Sequence, residues 1–89
     1  MLERDVEAYL VARVKALGGE VRKVAWIGRN GAPDRVVMLP DWPTFWIELK
    51  RPGGKAKPHQ VREHARMRAM GQQVLVLDST DAIDGFLNA

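Results

Sequence analysis

Three charged residues stand where two apolar runs would otherwise build a core. Within GAPDRVVMLPDWPTFWIELKRPGGK (31–55), Asp34 opens the first run, and Glu48 and Lys50 close the second. Side chains alternate along a strand, so Trp46, Glu48 and Lys50 share one face while Phe45, Ile47 and Leu49 share the other. A short connection favours antiparallel pairing, which sets the start of the first run beside the end of the second. Asp34 then comes next to Glu48 and Lys50. Two carboxylates that close repel, and one takes up a proton unless a positive charge intervenes. Lys50 is one answer, as a plain salt bridge. A divalent cation such as Mg²⁺, which prefers carboxylate and carbonyl oxygens, is the other. Held by Asp34, Glu48 and the backbone carbonyl of Leu49, it would polarise a phosphodiester and lower the pKa of a bound water. Lys50 would orient or help deprotonate that water and neutralise the transition state. On these three residues alone the salt bridge leads; their context, a Gly-x-Pro before the aspartate and a basic loop and helix after the lysine, favours the metal.

The elements that must position these residues follow from periodicity. Leu2, Val6, Leu10, Val14 and Leu17 recur at steps of three and four and predict an amphipathic helix over 1–17, stopped by Gly18-Gly19. EVRKVAWI predicts a first strand, DRVVML a second and TFWIELK a third. RPGGKAKP reads as a basic loop, and Pro58 suits the first turn of a helix reaching Met70. QQVLVLD predicts a fourth strand, whose continuous apolar run implies burial on both faces. TDAIDGFLNA predicts a short helix capped by Ser79 or Thr80. The order is α-β-β-β-α-β-α. The helix between the third and fourth strands makes them parallel, with a right-handed crossover. The expected architecture is an α/β fold with one four-stranded mixed sheet flanked by helices, in a single domain over 1–89.

Composition narrows the partners. Lys50, Arg51, Lys55, Lys57, Arg62, Arg66 and Arg68 crowd one segment in which Glu63 is the one acid, and the net charge is +3. Such a segment suits a polyanion, or a solvated helix face. The absence of cysteine excludes disulfides and cysteine-ligated metals. MLERDVEAYL carries acids where a signal peptide needs basic residues, and no apolar run approaches the ~20 residues of a membrane span. A soluble protein of the cytoplasm is expected, with no membrane partner.

Pro33-Asp34 in GAPD, Glu48-Leu49-Lys50 in IELK and Gln60 in PHQ follow the motif order of the PD-(D/E)xK nuclease superfamily. The chain resembles, within it, the virus-type replication-repair nuclease (VRR-NUC) domain in its small stand-alone form, which is common in phages. Gly18-Gly19, Lys23, Arg35, His64 and MGQQVLVLD fit that spacing too, so the resemblance spans nearly the whole chain. It implies a restriction-endonuclease-like fold and a Mg²⁺- or Mn²⁺-dependent endonuclease for structured DNA. Branched molecules such as Holliday junctions would be cut by a homodimer. Catalytic roles are implied for Asp34, Glu48, Lys50 and Gln60, and an acid on the first helix would complete the metal site. Glu3 fits that position; Glu7, one helical turn on, is the alternative. The family commonly has Ser or Thr three residues before the glutamine, whereas Lys57 stands here, which puts a side-chain cap in question.

Arg29, Arg51, Lys55 and Lys57 lie in loops bordering the site and, with Lys23 on the first strand, are candidates for DNA phosphate contacts. His64 reads as a partly buried hydrogen-bonding residue. Trp26 and Trp46 read as packing residues, and Trp42 as either a dimer contact or a cover for the sheet end. A less selective nickase or restriction-like nuclease is the competing activity. A catalytically silent DNA-binding module is disfavoured because Asp34, Glu48 and Lys50 are all present.

Overall fold

Val6, Leu10 and Val14 recur every four residues along α1 (Glu3–Ala16), and all three are fully buried. That stripe is the reason the segment is a helix at all, since a helix of this length is marginal in water without a packed face. The structure is a computed structural model, and it describes residues 1–88. After α1 come β1 (Glu20–Lys23), β2 (Arg35–Met38), β3 (Phe45–Leu49), α2 (Pro58–Ala69), β4 (Gln73–Leu77) and α3 (Thr80–Leu87). The strands lie in the order β1-β2-β3-β4. β1–β2 and β2–β3 are antiparallel, and β3–β4 is parallel across the α2 connection. The mixed sheet with flanking helices agrees with the sequence expectation in class, element order and pairing sense.

The two sheet faces differ in kind. Val37, Ile47, Leu49 and Leu77 point to one face and are sealed by α1 and by Ile83 and Leu87 of α3. Full burial of each such aliphatic side chain contributes ~1.5–3 kcal/mol. Ser79 caps α3 by accepting the Ala82 N–H at 3.0 Å, and Asp84 ties it to α1 by accepting from the Tyr9 hydroxyl and from Arg13. The other face is covered by α2, whose His64 and Met67 are buried, as are Val74 and Glu48 on that face of the sheet. Close approach at the α1–β1 corner requires a glycine: a Cβ on Gly19 would run into the Met38 carbonyl oxygen and Leu39.

Three expectations are corrected. β4 is an edge strand whose burial on both faces is only partial: Val74 and Leu77 are buried on opposite faces, but Val76 is exposed. β1 ends at Lys23 instead of reaching Ile27. The Val24 N–H still bonds the Asp34 carbonyl at 3.0 Å, but the chain then leaves the sheet so that Trp26 meets Trp46. His64 is fully buried, and its Nε2 has no hydrogen-bond partner. Burial and the Arg68 charge hold its pKa below the ordinary histidine value, so the ring is neutral at physiological pH. No helix among the described residues is long and apolar enough to cross a membrane.

Candidate active site

The β2–β3 register pairs Arg35 with Ile47 and Val36 with Trp46. Continued by one residue, it sets Asp34 opposite Glu48, on the same side of the sheet. The aspartate is fixed there by the Leu49 N–H, which donates to its Oδ1 at 3.2 Å. Pro33, just before it, is buried and has no N–H to satisfy. Lys50 follows where β3 ends, and its N–H bonds the Leu77 carbonyl of β4 at 3.1 Å. Two parts of the chain thereby bring two acids and a lysine to one end of the sheet.

Glu48 is 3% exposed, and its two oxygens are treated differently. Lys50 Nζ lies 3.3 Å from Oε2. Gln60 Nε2 donates to the same Oε2 at 3.1 Å, while Gln60 Oε1 accepts the Lys57 N–H at 2.8 Å. Gln60, at the third position of α2, thus satisfies the Lys57 N–H and turns its amide toward the glutamate, while the Ser or Thr side-chain cap itself has no replacement at Lys57. Oε1 of Glu48 is buried with no hydrogen-bond partner. A buried carboxylate oxygen without a partner is costly and asks for a cation or a proton.

Electrostatics point the same way. Burial, then the Glu48 charge, raise the Asp34 carboxyl from 3.8 to about 6, against the lowering bond from Leu49. Burial also raises Glu48, and the Lys50 ammonium pulls it back only partly. Glu3 is exposed, yet its charge raises both groups. Glu7 is paired with Arg35, an occupation that Glu3 does not share. Among the described residues no three His, Cys, Asp or Glu side chains form a ready metal cluster. The donor set at hand is the Asp34 carboxylate, the bare Glu48 Oε1 and nearby backbone oxygen, which suits a hard cation that keeps several waters.

The chain is 48% identical over 79 residues to "Putative nuclease p44" of Acyrthosiphon pisum secondary endosymbiont phage 1, covering 89% of this chain and 85% of that protein. A solved structure described as a VRR_NUC domain matches with a TM-score of 0.88 at 41% identity, over 97% of this chain and 94% of that one. The chain belongs to the VRR-NUC nuclease family. No family model matches it.

Within this VRR-NUC chain the remaining basic candidates divide by position. Arg51, Lys55 and Lys57 are exposed on the loop between β3 and α2. That loop is held at the active end of the sheet by the Gly53 N–H bond to Asp78 Oδ2, 3.2 Å. Arg29 is exposed on the 24–34 loop, 3.7 Å from Glu63. Lys23 pairs across from Arg35 and so faces the α1 side, away from Glu48. Sequence reading missed Glu63. It is 4% exposed and accepts from Trp26 Nε1 at 2.8 Å and Arg66 Nε at 2.9 Å. Burial pushes its carboxyl up, but the Arg66 and Trp26 bonds and the Arg29 charge outweigh that and hold it low. The signal for it was a lone acid in a basic helix, three residues before an arginine. Trp42 covers the sheet end, with ring centroids 5.8 Å from Phe86 and 6.1 Å from Phe45.

Proposed function

We propose that this VRR-NUC nuclease is a Mg²⁺- or Mn²⁺-dependent endodeoxyribonuclease that cuts branched DNA, such as four-way junctions, as a homodimer. The observation that carries it is the facing of Asp34 and Glu48, with Glu48 Oε1 buried and unpartnered beside Lys50. Asp34, Glu48 Oε1 and the Leu49 carbonyl would hold the cation, with Glu3 supplying a further carboxylate from α1. When bound, the cation supplies polarisation of the phosphodiester and a water of lowered pKa. Lys50 offers its ammonium to the phosphoryl oxygens as negative charge builds there. Gln60 holds Glu48 in one rotamer, so that Oε1 stays turned away from its own donors. Arg51, Lys55, Lys57 and Arg29 contact backbone phosphates without reading sequence, whereas Lys23, turned to the α1 face, is left out of that set.

The test is cleavage of a four-way junction, a flap and a linear duplex with and without Mg²⁺ or Mn²⁺. Asp34→Ala and Lys50→Ala are each expected to lose at least about a hundredfold in rate. Gln60→Ala, which acts through Glu48, is expected to lose about 10–100-fold in metal affinity or rate. Activity that survives EDTA or both substitutions would refute the mechanism. Equal cutting of all three DNAs would replace junction selectivity by a general nickase. Binding with no cleavage by wild type would leave a silent DNA-binding module.

A further inference from the structure

A second feature lies on the same sheet face, one step along β3 from the carboxylates. Trp46 shares its face with Glu48 and stands two residues away, about 7 Å along the strand. Trp26, carried off the end of β1, meets it with ring centroids 5.7 Å apart and planes tilted by 60°. Together with Ile27, Arg29, Met67 and Met70 they line an open groove of about 420 Å³. Ile27 is wholly exposed at its rim and Met70 is 71% exposed. Both indole N–H groups are spent, on Glu63 and on Gln72 Oε1 at 2.9 Å, so what the groove presents is ring face and thioether.

The accessible charge is positive. Glu63 is buried under its Trp26 and Arg66 bonds, whereas more than half of the Arg29 side chain is open to solvent. Half-buried aromatic rings with a cation at the edge, about 7 Å along β3 from Glu48, match an unstacked nucleobase and its neighbouring phosphate. The exposed Ile27 matches the apolar wedges that part base steps. We infer that the Trp26–Trp46 groove is a subsite for a single unstacked base next to the scissile phosphate, with Ile27 holding that base out of the helix. The inference rests on the nuclease reading and adds what that reading lacks, a physical basis for preferring branch points, where unpaired or loosely stacked bases occur, over continuous duplex.

The test uses three duplexes in EDTA, followed by anisotropy: one with a single unpaired 2-aminopurine, one with an abasic residue at that position, and one fully paired. Wild type is expected to bind the base-bearing bulge about tenfold more tightly than the abasic one, and to quench the 2-aminopurine. Trp46→Leu is expected to abolish the ratio. Because Trp46 also packs, Ile27→Ser serves as the second variant; Ile27 is fully exposed, so its loss cannot unfold the protein, and it is expected to reduce the ratio severalfold. Val61→Ser, exposed on α2 outside the groove, is expected to leave the ratio unchanged. Equal affinity for base and abasic bulges, or a ratio indifferent to both groove variants, overturns the subsite. A sedimentation change in Ile27→Ser with an unchanged ratio overturns it too, assigning the groove to a second copy. Junction cleavage in Mg²⁺ is scored separately. Cleavage without base preference refutes the subsite alone, and base preference without cleavage refutes the nuclease reading.

Discussion

Asp34 has the environment of a carboxylate waiting for a positive charge, and this has a consequence that needs no DNA. Its folded pKa of about 6 lies above its ordinary 3.8. Between those values the folded protein holds a proton that the unfolded chain has released, so stability falls as pH rises from about 4 to 6 and stays lowered above. In EDTA, Asp34→Asn is therefore expected to melt a few degrees above wild type at pH 8 and level with it near pH 4. About a third of the side chain is open to water, which keeps the effect modest. Mg²⁺ at pH 8 is expected to raise the melting temperature of wild type and leave the variant unmoved. A variant melting below wild type at pH 8 would show that the carboxylate is stabilised by its surroundings and needs no cation.

The elements that carry the site depend on one close approach. Gly31 has φ +93°, and a Cβ there would sit 2.7 Å from the His59 carbonyl oxygen and 2.8 Å from Glu63 Cβ. The loop bearing Trp26 and Arg29 is seated against the first turns of α2 at this point, where Gln60 also begins. Gly31→Ala is expected to cost about 1–3 kcal/mol in a denaturant titration, from backbone strain and the push on α2. An unchanged midpoint would mean that the loop does not bear on the helix. How much was legible in the sequence divides along the same line. The α1 stripe, the antiparallel β2–β3 pair and its consequence, Asp34 facing Glu48, all follow from local period and a short connection. A role for Gln60 at the site came from the family resemblance, whereas its bond to Glu48 is legible only in the fold. The apolar run of β4 could not reveal an edge position, because periodicity is blind to which neighbours a strand acquires. The end of β1 at Lys23 and the burial of Glu63 were invisible for a related reason. Both depend on Trp26 bonding a residue 37 positions away, a docking that no local signal encodes. Lys23 fitted the family spacing, yet the pairing that sends it to the α1 face exists only in the folded sheet.

At the scale of the molecule, the described residues hold one facing carboxylate pair, whereas severing a four-way junction into two duplexes takes two cuts. Closed two-fold symmetry supplies the second site at no cost in sequence, and it mirrors the pseudo-symmetry of the junction. If that is how the protein works, the particle in solution has twice the 10.0 kDa mass of the chain. The active sites in it would then be equivalent, each cutting one strand. Sedimentation at the concentrations that support paired cleavage is expected to return the doubled mass; a single-chain mass there would overturn the dimer. The sharper measurement mixes wild type with Asp34→Asn after exchange of subunits. Mixed dimers would keep one working carboxylate pair, so junctions nicked on one strand should accumulate in proportion to the variant fraction. Homodimers of wild type should give paired cuts with little nicked intermediate. A mixture whose nicked and resolved products keep the wild-type ratio at every variant fraction would mean that the two cuts come from independent chains, and the symmetry of the junction would then have no counterpart in the enzyme.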